Sequence, residues 1–116
     1  MIVDAISKSG YTNIVATTNG KEAWEILETY KNDDSKRLEE QIACVITDIE
    51  MPMMDGHRLT KLIKDDKILK RLPVIIFSSL IDDEMRLKGR DIGADAQVSK
   101  PEIGKLVGLI DKLILS

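Results

Sequence analysis

Three side chains of this 116-residue chain could do chemistry together: Asp48, Ser78 and Lys100. Each stands where an apolar run ends. Asp48 follows the run 42–47, Ser78 closes the run 74–77, and Lys100 precedes Pro101 after the segment 94–98. An acid, a hydroxyl and an amine gathered at one mouth suit phosphoryl transfer to the acid. The carboxylate attacks phosphorus and becomes an acyl phosphate. A lysine ammonium and a divalent metal ordinarily neutralise charge on the transferring group. The hydroxyl can hydrogen-bond a phosphoryl oxygen. Magnesium takes oxygen ligands, so further carboxylates are expected close by.

Residues so far apart in sequence meet only if the chain is wound in a regular way, and its patterning supplies one. Residues 1–9 read as a short helix stopped by Gly10, and residues 11–16 as a strand. Asn19-Gly20 reads as a turn before a helix that carries Ala23, Ile26, Leu27 and Tyr30 at helical spacing. The polar stretch 32–41 reads as a loop or loosely helical extension with a solvated surface. The continuous apolar run 42–47 reads as a strand covered on both faces, as in a parallel sheet. Leu59, Leu62 and Ile63 mark the next helix, and residues 74–77 the next buried strand. Asp82 and Asp83 can cap a weak helix whose apolar face is Met85 and Ile92, interrupted by Gly89. A short edge strand at 94–98 is broken by Lys100-Pro101. The last helix has the clearest stripe: Ile103, Leu106, Val107, Ile110, Leu113 and Ile114. Strands that alternate with helices specify right-handed βαβ units and an open parallel α/β sheet. Ligands of such sheets bind at the carboxyl ends of the strands, where Asp48, Ser78 and Lys100 stand.

Composition narrows the classes. Hydrophobic residues make up 43% and charged residues 32%, ordinary for one globular domain. Aromatics are only 3%, so aliphatic side chains must fill the core. A net charge of −3 argues against nucleic acid or an anionic membrane as the main partner. The single cysteine, Cys44, and the absence of a leader-like N-terminal run point to a reducing, cytoplasmic setting. No stretch approaches the ~20 apolar residues that span a bilayer. A turnover enzyme is not expected: there is no Ser/His/Asp arrangement, no zinc-spaced ligand set and no phosphate-cradling glycine loop.

The run from Asp48 to Gly56, Asp-Ile-Glu-Met-Pro-Met-Met-Asp-Gly, resembles the receiver-domain signature D-x-x-M-P-x-M-D-G of two-component response regulators. Pro73 through Ser78 resembles that family's fourth strand with its terminal hydroxyl. Gly93-Ala94-Asp95-Ala96 followed by Lys100-Pro101 resembles its fifth strand and Lys-Pro ending. The resemblance covers essentially residues 1–116 as one CheY-like domain with the flavodoxin-like receiver fold. It implies that Asp48 accepts phosphate from a histidine kinase and that Glu50 offers its backbone carbonyl to magnesium, which Asp48 also holds. It implies that Ser78 is the switch hydroxyl, that Lys100 contacts the phosphate, and that the Lys100–Pro101 bond is cis. A narrower resemblance, in the charged segment 32–41, residues 77–81 and residues 94–102, is to the receiver half of CheV-type chemotaxis coupling proteins.

Two departures stand out. The family begins with an apolar strand ending in an acidic pair that holds magnesium, and here that strand and pair are expected to be missing. The family's strand order is 2-1-3-4-5, so the missing strand would be central. Each backbone group left unpaired would cost ~1–3 kcal/mol, against net stabilities of ~5–15 kcal/mol. Three arrangements would cope. The 11–16 strand could move over to pair with the Cys44 strand, two chains could exchange elements as a homo-oligomer, or residues 1–5 could act as a substitute strand. The oligomer is the preferred expectation. Magnesium affinity and phosphorylation of Asp48 should then fall, which opens an alternative function: a receiver-like interaction module that takes no phosphate. A third alternative is a truncated piece of an ordinary receiver. The second departure is Gln97, where many receivers carry an aromatic coupled to the switch hydroxyl.

Other singular residues read more plainly. Cys44 reads as a packed thiol and Trp24 as a partly buried flank of its helix. His57 reads as a surface histidine without metal-ligand company. Asp55 reads as a stabiliser of its loop and helix start. The Asp82-Asp83 pair reads as a helix cap with a solvated neighbour, and Met51, Met53 and Met54 as flexible packing.

Overall fold

The computed structural model describes residues 17, 19–33, 37–51, 53–79, 81–100 and 102–115. The expectations about residues 1–16, the missing first strand and its rearrangement, and the Lys100–Pro101 bond lie outside the described residues.

Helix α1, Gly20–Lys31, starts where Asn19 Oδ1 accepts the Glu22 amide at 2.7 Å. Asn19-Gly20 is therefore a helix cap and first residue, not a free turn. Gly20 is buried, and any side chain there would collide with the Met54 carbonyl. The polar stretch after it holds a single helical turn, α2, Leu38–Gln41. Its Leu38 is buried in the core, so the stretch is tethered and not merely solvated.

Strand β1, Val45–Thr47, is shorter than the apolar run that announced it. Helix α3, Gly56–Asp65, is capped by Asp55, whose Oδ1 accepts the Arg58 amide at 2.8 Å. A 3-10 turn, Leu69–Arg71, leads into β2, Val74–Ser78. Helix α4, Asp83–Asp91, is capped by Asp82 through the Met85 amide at 2.8 Å. Gly89 does not interrupt it, but is its one buried residue. Strand β3, Ala96–Ser99, and helix α5, Ile103–Leu115, complete the described residues.

The strands form one parallel sheet in the order β1–β2–β3. All five residues of β2 are buried, as a middle strand covered on both faces must be. Alternation divides its side chains. Val74 packs with Leu27 of α1 and with Leu59 and Ile63 of α3. Ile75 and Phe77 pack on the other face with Val98 of β3 and with Leu106 and Ile110 of α5. Cys44 and Trp24 are partly buried against these two clusters, as their surroundings in sequence suggested.

The amino ends of β2 and β3 are tied by one cation. Lys64 Nζ of α3 donates to Asp95 Oδ2 and to the Leu72 carbonyl, both at 2.8 Å. The same Asp95 oxygen accepts the Val74 amide at 2.7 Å. Among the described residues no helix is long and apolar enough to cross a membrane.

Candidate functional site

Three parallel strands end side by side at the opposite pole. Asp48 directly follows Thr47, Ser78 is the last residue of β2, and Lys100 directly follows Ser99. The register puts Ser78 beside Ser99, and the Lys100 amide donates to the Ser78 carbonyl at 3.2 Å. The sheet thus brings together all three residues singled out from sequence.

Lys100 Nζ forms an ion pair with Asp48 Oδ2. Asp48 Oδ1 accepts the Ile49 amide at 2.7 Å. Ser78, fully buried, supplies a further hydrogen bond to the Asp48 carboxylate. Partial burial by itself would raise the Asp48 carboxyl. The hydrogen bonds from Lys100, Ser78 and Ile49, together with the Lys100 charge, outweigh it and hold the group below its ordinary 3.8. Asp48 is therefore a carboxylate at neutral pH, partly open to solvent at 26% side-chain exposure.

The loop after β1 is shaped by contacts that the sequence did not advertise. Thr47, buried, donates its hydroxyl to the Asp48 carbonyl at 2.9 Å. The Gly56 amide closes the loop on the Ile49 carbonyl at 2.9 Å. A side chain at Gly56 would collide with the Asp48 carbonyl, 2.7 Å from its carbon. Met53 takes φ of 70°, the left-handed turn conformation, and projects into solvent. Asp55 caps α3 as anticipated.

His57 is the clear correction. It is 4% exposed, not a surface residue, and its Nε2 is buried without a hydrogen-bond partner. Burial is the main cause that pushes its pKa below the ordinary 6.5; the Lys88 charge adds to this and the Asp55 charge opposes it. The Lys88 charge of α4 reaches it, and no local pattern in the sequence encodes its burial. Gln97 has also found a partner: Nε2 donates to the Arg86 carbonyl of α4 at 2.9 Å.

The metal ligands expected from the sequence, the Asp48 carboxylate and the Glu50 backbone carbonyl, are oxygens, the donor kind that magnesium takes, and Glu50 is exposed on the loop after β1. Among the described residues no group of three or more His, Cys, Asp or Glu could hold a metal ion. The Asp82-Asp83 pair is engaged as the cap and first residue of α4.

Comparison with known proteins agrees with this geometry. Residues 1–111 match the response regulator receiver domain family. The chain is 34% identical over 100 residues to the chemotaxis protein CheV2 of Helicobacter pylori, covering 86% of this chain and 30% of that protein. It is also 34% identical over 100 residues to the polar-differentiation response regulator DivK of Brucella anthropi, covering 84% of this chain and 71% of that one. Among solved structures, a DNA-binding response regulator of the LuxR family from Staphylococcus aureus is similar, with a TM-score of 0.78 at 30% identity. The match covers 97% of this chain and 85% of that one. The chain spans less than half the length of several curated relatives that it matches. The three-stranded parallel sheet flanked by helices is part of a flavodoxin-like receiver fold, and the chain belongs to the response regulator receiver domain family of two-component signalling.

Proposed function

We propose that residues 1–116 form one receiver module that accepts a phosphoryl group on Asp48 from the phosphohistidine of a histidine kinase. The observation that carries this reading is the convergence of Asp48, Ser78 and Lys100 at the ends of three adjacent strands. An Asp48 carboxylate oxygen attacks phosphorus in line with the leaving nitrogen. A P–O bond forms, the P–N bond breaks, and its electron pair returns to the imidazole, leaving an acyl phosphate on Asp48. Lys100, already at Oδ2, can follow the negative charge outward to the phosphoryl oxygens. Ser78, at the same carboxylate, can donate to one of them. When bound, magnesium supplies charge neutralisation on the transferring group. Asp48 and the Glu50 backbone carbonyl would hold it. With only these two donors among the described residues, its affinity is expected to be weak. The module then acts stoichiometrically and not as a turnover enzyme. The relatives named chemotaxis proteins CheV2 and CheV3 support a place in chemotaxis signalling.

One observation favours a second reading, an interaction module without phosphate. The described residues bring no group of three acidic ligands to Asp48. That reading predicts a folded chain in a defined oligomer. Intact mass after incubation with a small phosphodonor separates the two. The expected result is a gain of one phosphoryl group that requires both magnesium and Asp48, and is absent in Asp48→Ala. No gain in folded protein under any condition would favour the interaction module.

A further inference from the structure

The peptide unit between Asp48 and Ile49 is tied at both ends. Its N–H donates to Asp48 Oδ1 at 2.7 Å, and its carbonyl, that of Asp48, accepts the Thr47 hydroxyl at 2.9 Å. A peptide is planar and turns only as a whole. One rigid group therefore joins the Asp48 carboxylate to a side chain of β1.

Thr47 is 4% exposed, so its hydroxyl must find an acceptor inside the protein. Two stand within reach: the Asp48 carbonyl and, less closely, Met51 Sδ at 3.8 Å. The hydroxyl has one proton to give, and a thioether is a weak acceptor. The proton therefore goes to the carbonyl. Gly56 crowds that carbonyl from α3, and the Gly56 amide holds the next carbonyl, that of Ile49, at 2.9 Å. The peptide has little freedom to turn while the Thr47 bond is made.

The donors at the Asp48 carboxylate are not equivalent. Lys100 ends a flexible side chain that is 47% exposed, and Ser78 carries a hydroxyl that can rotate. Both can turn to phosphoryl oxygens as the group approaches. The Ile49 amide is part of the backbone, and only the peptide that carries it can redirect it.

We propose that Thr47 is a positioning residue for phosphoryl transfer: its hydroxyl locks the Asp48–Ile49 peptide, and the locked amide sets the plane of the attacking carboxylate. The proposal rests on the phosphoacceptor reading of Asp48. A nucleophile already turned to the approaching phosphorus spends none of the binding energy on finding its orientation.

The test compares the full chain with Thr47→Val and Thr47→Ser. Valine keeps the branched shape and suits a buried strand. Its methyl cannot rest 2.9 Å from a carbonyl oxygen, where the hydroxyl stands, so the peptide must turn. Serine keeps the hydroxyl. One readout is the Ile49 amide proton resonance, which a short bond to a carboxylate places downfield. The other is the rate of phosphate gain on Asp48 with a small phosphodonor and saturating magnesium. In Thr47→Val the resonance should move upfield, and the maximal rate should fall on the order of tenfold, within the cost of a misplaced reacting group. The phosphodonor concentration at half-maximal rate should not change, because Thr47 does not touch the donor. Thr47→Ser should return both readouts toward those of the unaltered chain. A merely structural role would lower the urea midpoint of Thr47→Val and leave both readouts of the folded protein in place. An unmoved Ile49 resonance in Thr47→Val would overturn the lock. A moved resonance with an unchanged maximal rate would overturn the positioning role alone. No recovery in Thr47→Ser would overturn the hydroxyl as the cause. No phosphate on Asp48 in the unaltered chain would overturn the phosphoacceptor reading and the positioning role together.

Discussion

Asp48 and His57 show how differently two titratable groups near one strand end can be treated. Asp48 is surrounded by donors that favour its charged form, whereas His57 is buried with an unpartnered nitrogen and a lysine charge nearby. Burial therefore favours neutral His57 in the fold. A histidine whose folded pKa lies below its unfolded value contributes stability above that unfolded value, and the contribution is lost as pH falls. The urea midpoint of the protein should decline as pH drops below 6.5, the ordinary histidine value, toward the folded pKa. In His57→Leu that part of the decline should vanish; an equal decline in both proteins would show that His57 is not its source. Asp48, Ser78 and Lys100 were legible because each closes an apolar run, and a strand's end is where a parallel sheet exposes its chemistry. His57 was not, because Gly-His-Arg at a helix start looks polar and its burial is set by packing that the local sequence does not display.

The elements were legible wherever their own periodicity was strong. α3 and α5 follow their apolar stripes, and Leu59, Ile63, Leu106 and Ile110 are all buried as that spacing requires. Boundaries were set by partners that sequence does not display. β1 begins only at Val45, where the ladder with β2 begins at Val74. Glycines mislead for a related reason. In the sequence Gly20 and Gly89 look like breaks, yet Gly20 opens a helix and Gly89 lies within one, each where another segment approaches too closely for a side chain. Gly56 is the sharpest case, pressed on the Asp48 carbonyl at the first turn of α3. Gly56→Ala must displace either α3 or the Asp48 loop, a form of overpacking that costs about 1–3 kcal/mol. The urea midpoint should fall accordingly, and phosphate gain on Asp48 should slow beyond what the lost stability explains. A variant as stable and as reactive as the parent would show that the loop yields freely.

At the scale of the whole molecule, chemistry and fastening occupy opposite poles of the sheet. Carboxyl ends carry Asp48, Ser78 and Lys100; amino ends carry the Lys64–Asp95 tie. In the sequence Asp95 stands out only within a family pattern and Lys64 not at all, because a lysine on an amphipathic helix ordinarily reaches water. Here its side chain is 16% exposed and surrounded by oxygens. Lys64→Met keeps the length of the side chain but strands Asp95 and the Leu72 carbonyl. With solvent screening of the partly exposed Asp95, the cost should be about 1–2 kcal/mol. Denaturation should show that loss, while the rate of phosphate gain on Asp48 stays within about twofold, since charged contacts this far from the site are screened. A large loss of reactivity would mean that the two poles are mechanically joined.

The tie also acts as a proofreader. Sliding β3 by one residue along β2 would move Asp95 by about 3.3 Å. Lys64 would then lose its carboxylate, the Val74 amide would lose its acceptor, and Lys100 would miss Asp48. Only the correct alignment places all of these charges at once, so a mis-threaded sheet is marked by stranded ions at both ends before any signal arrives.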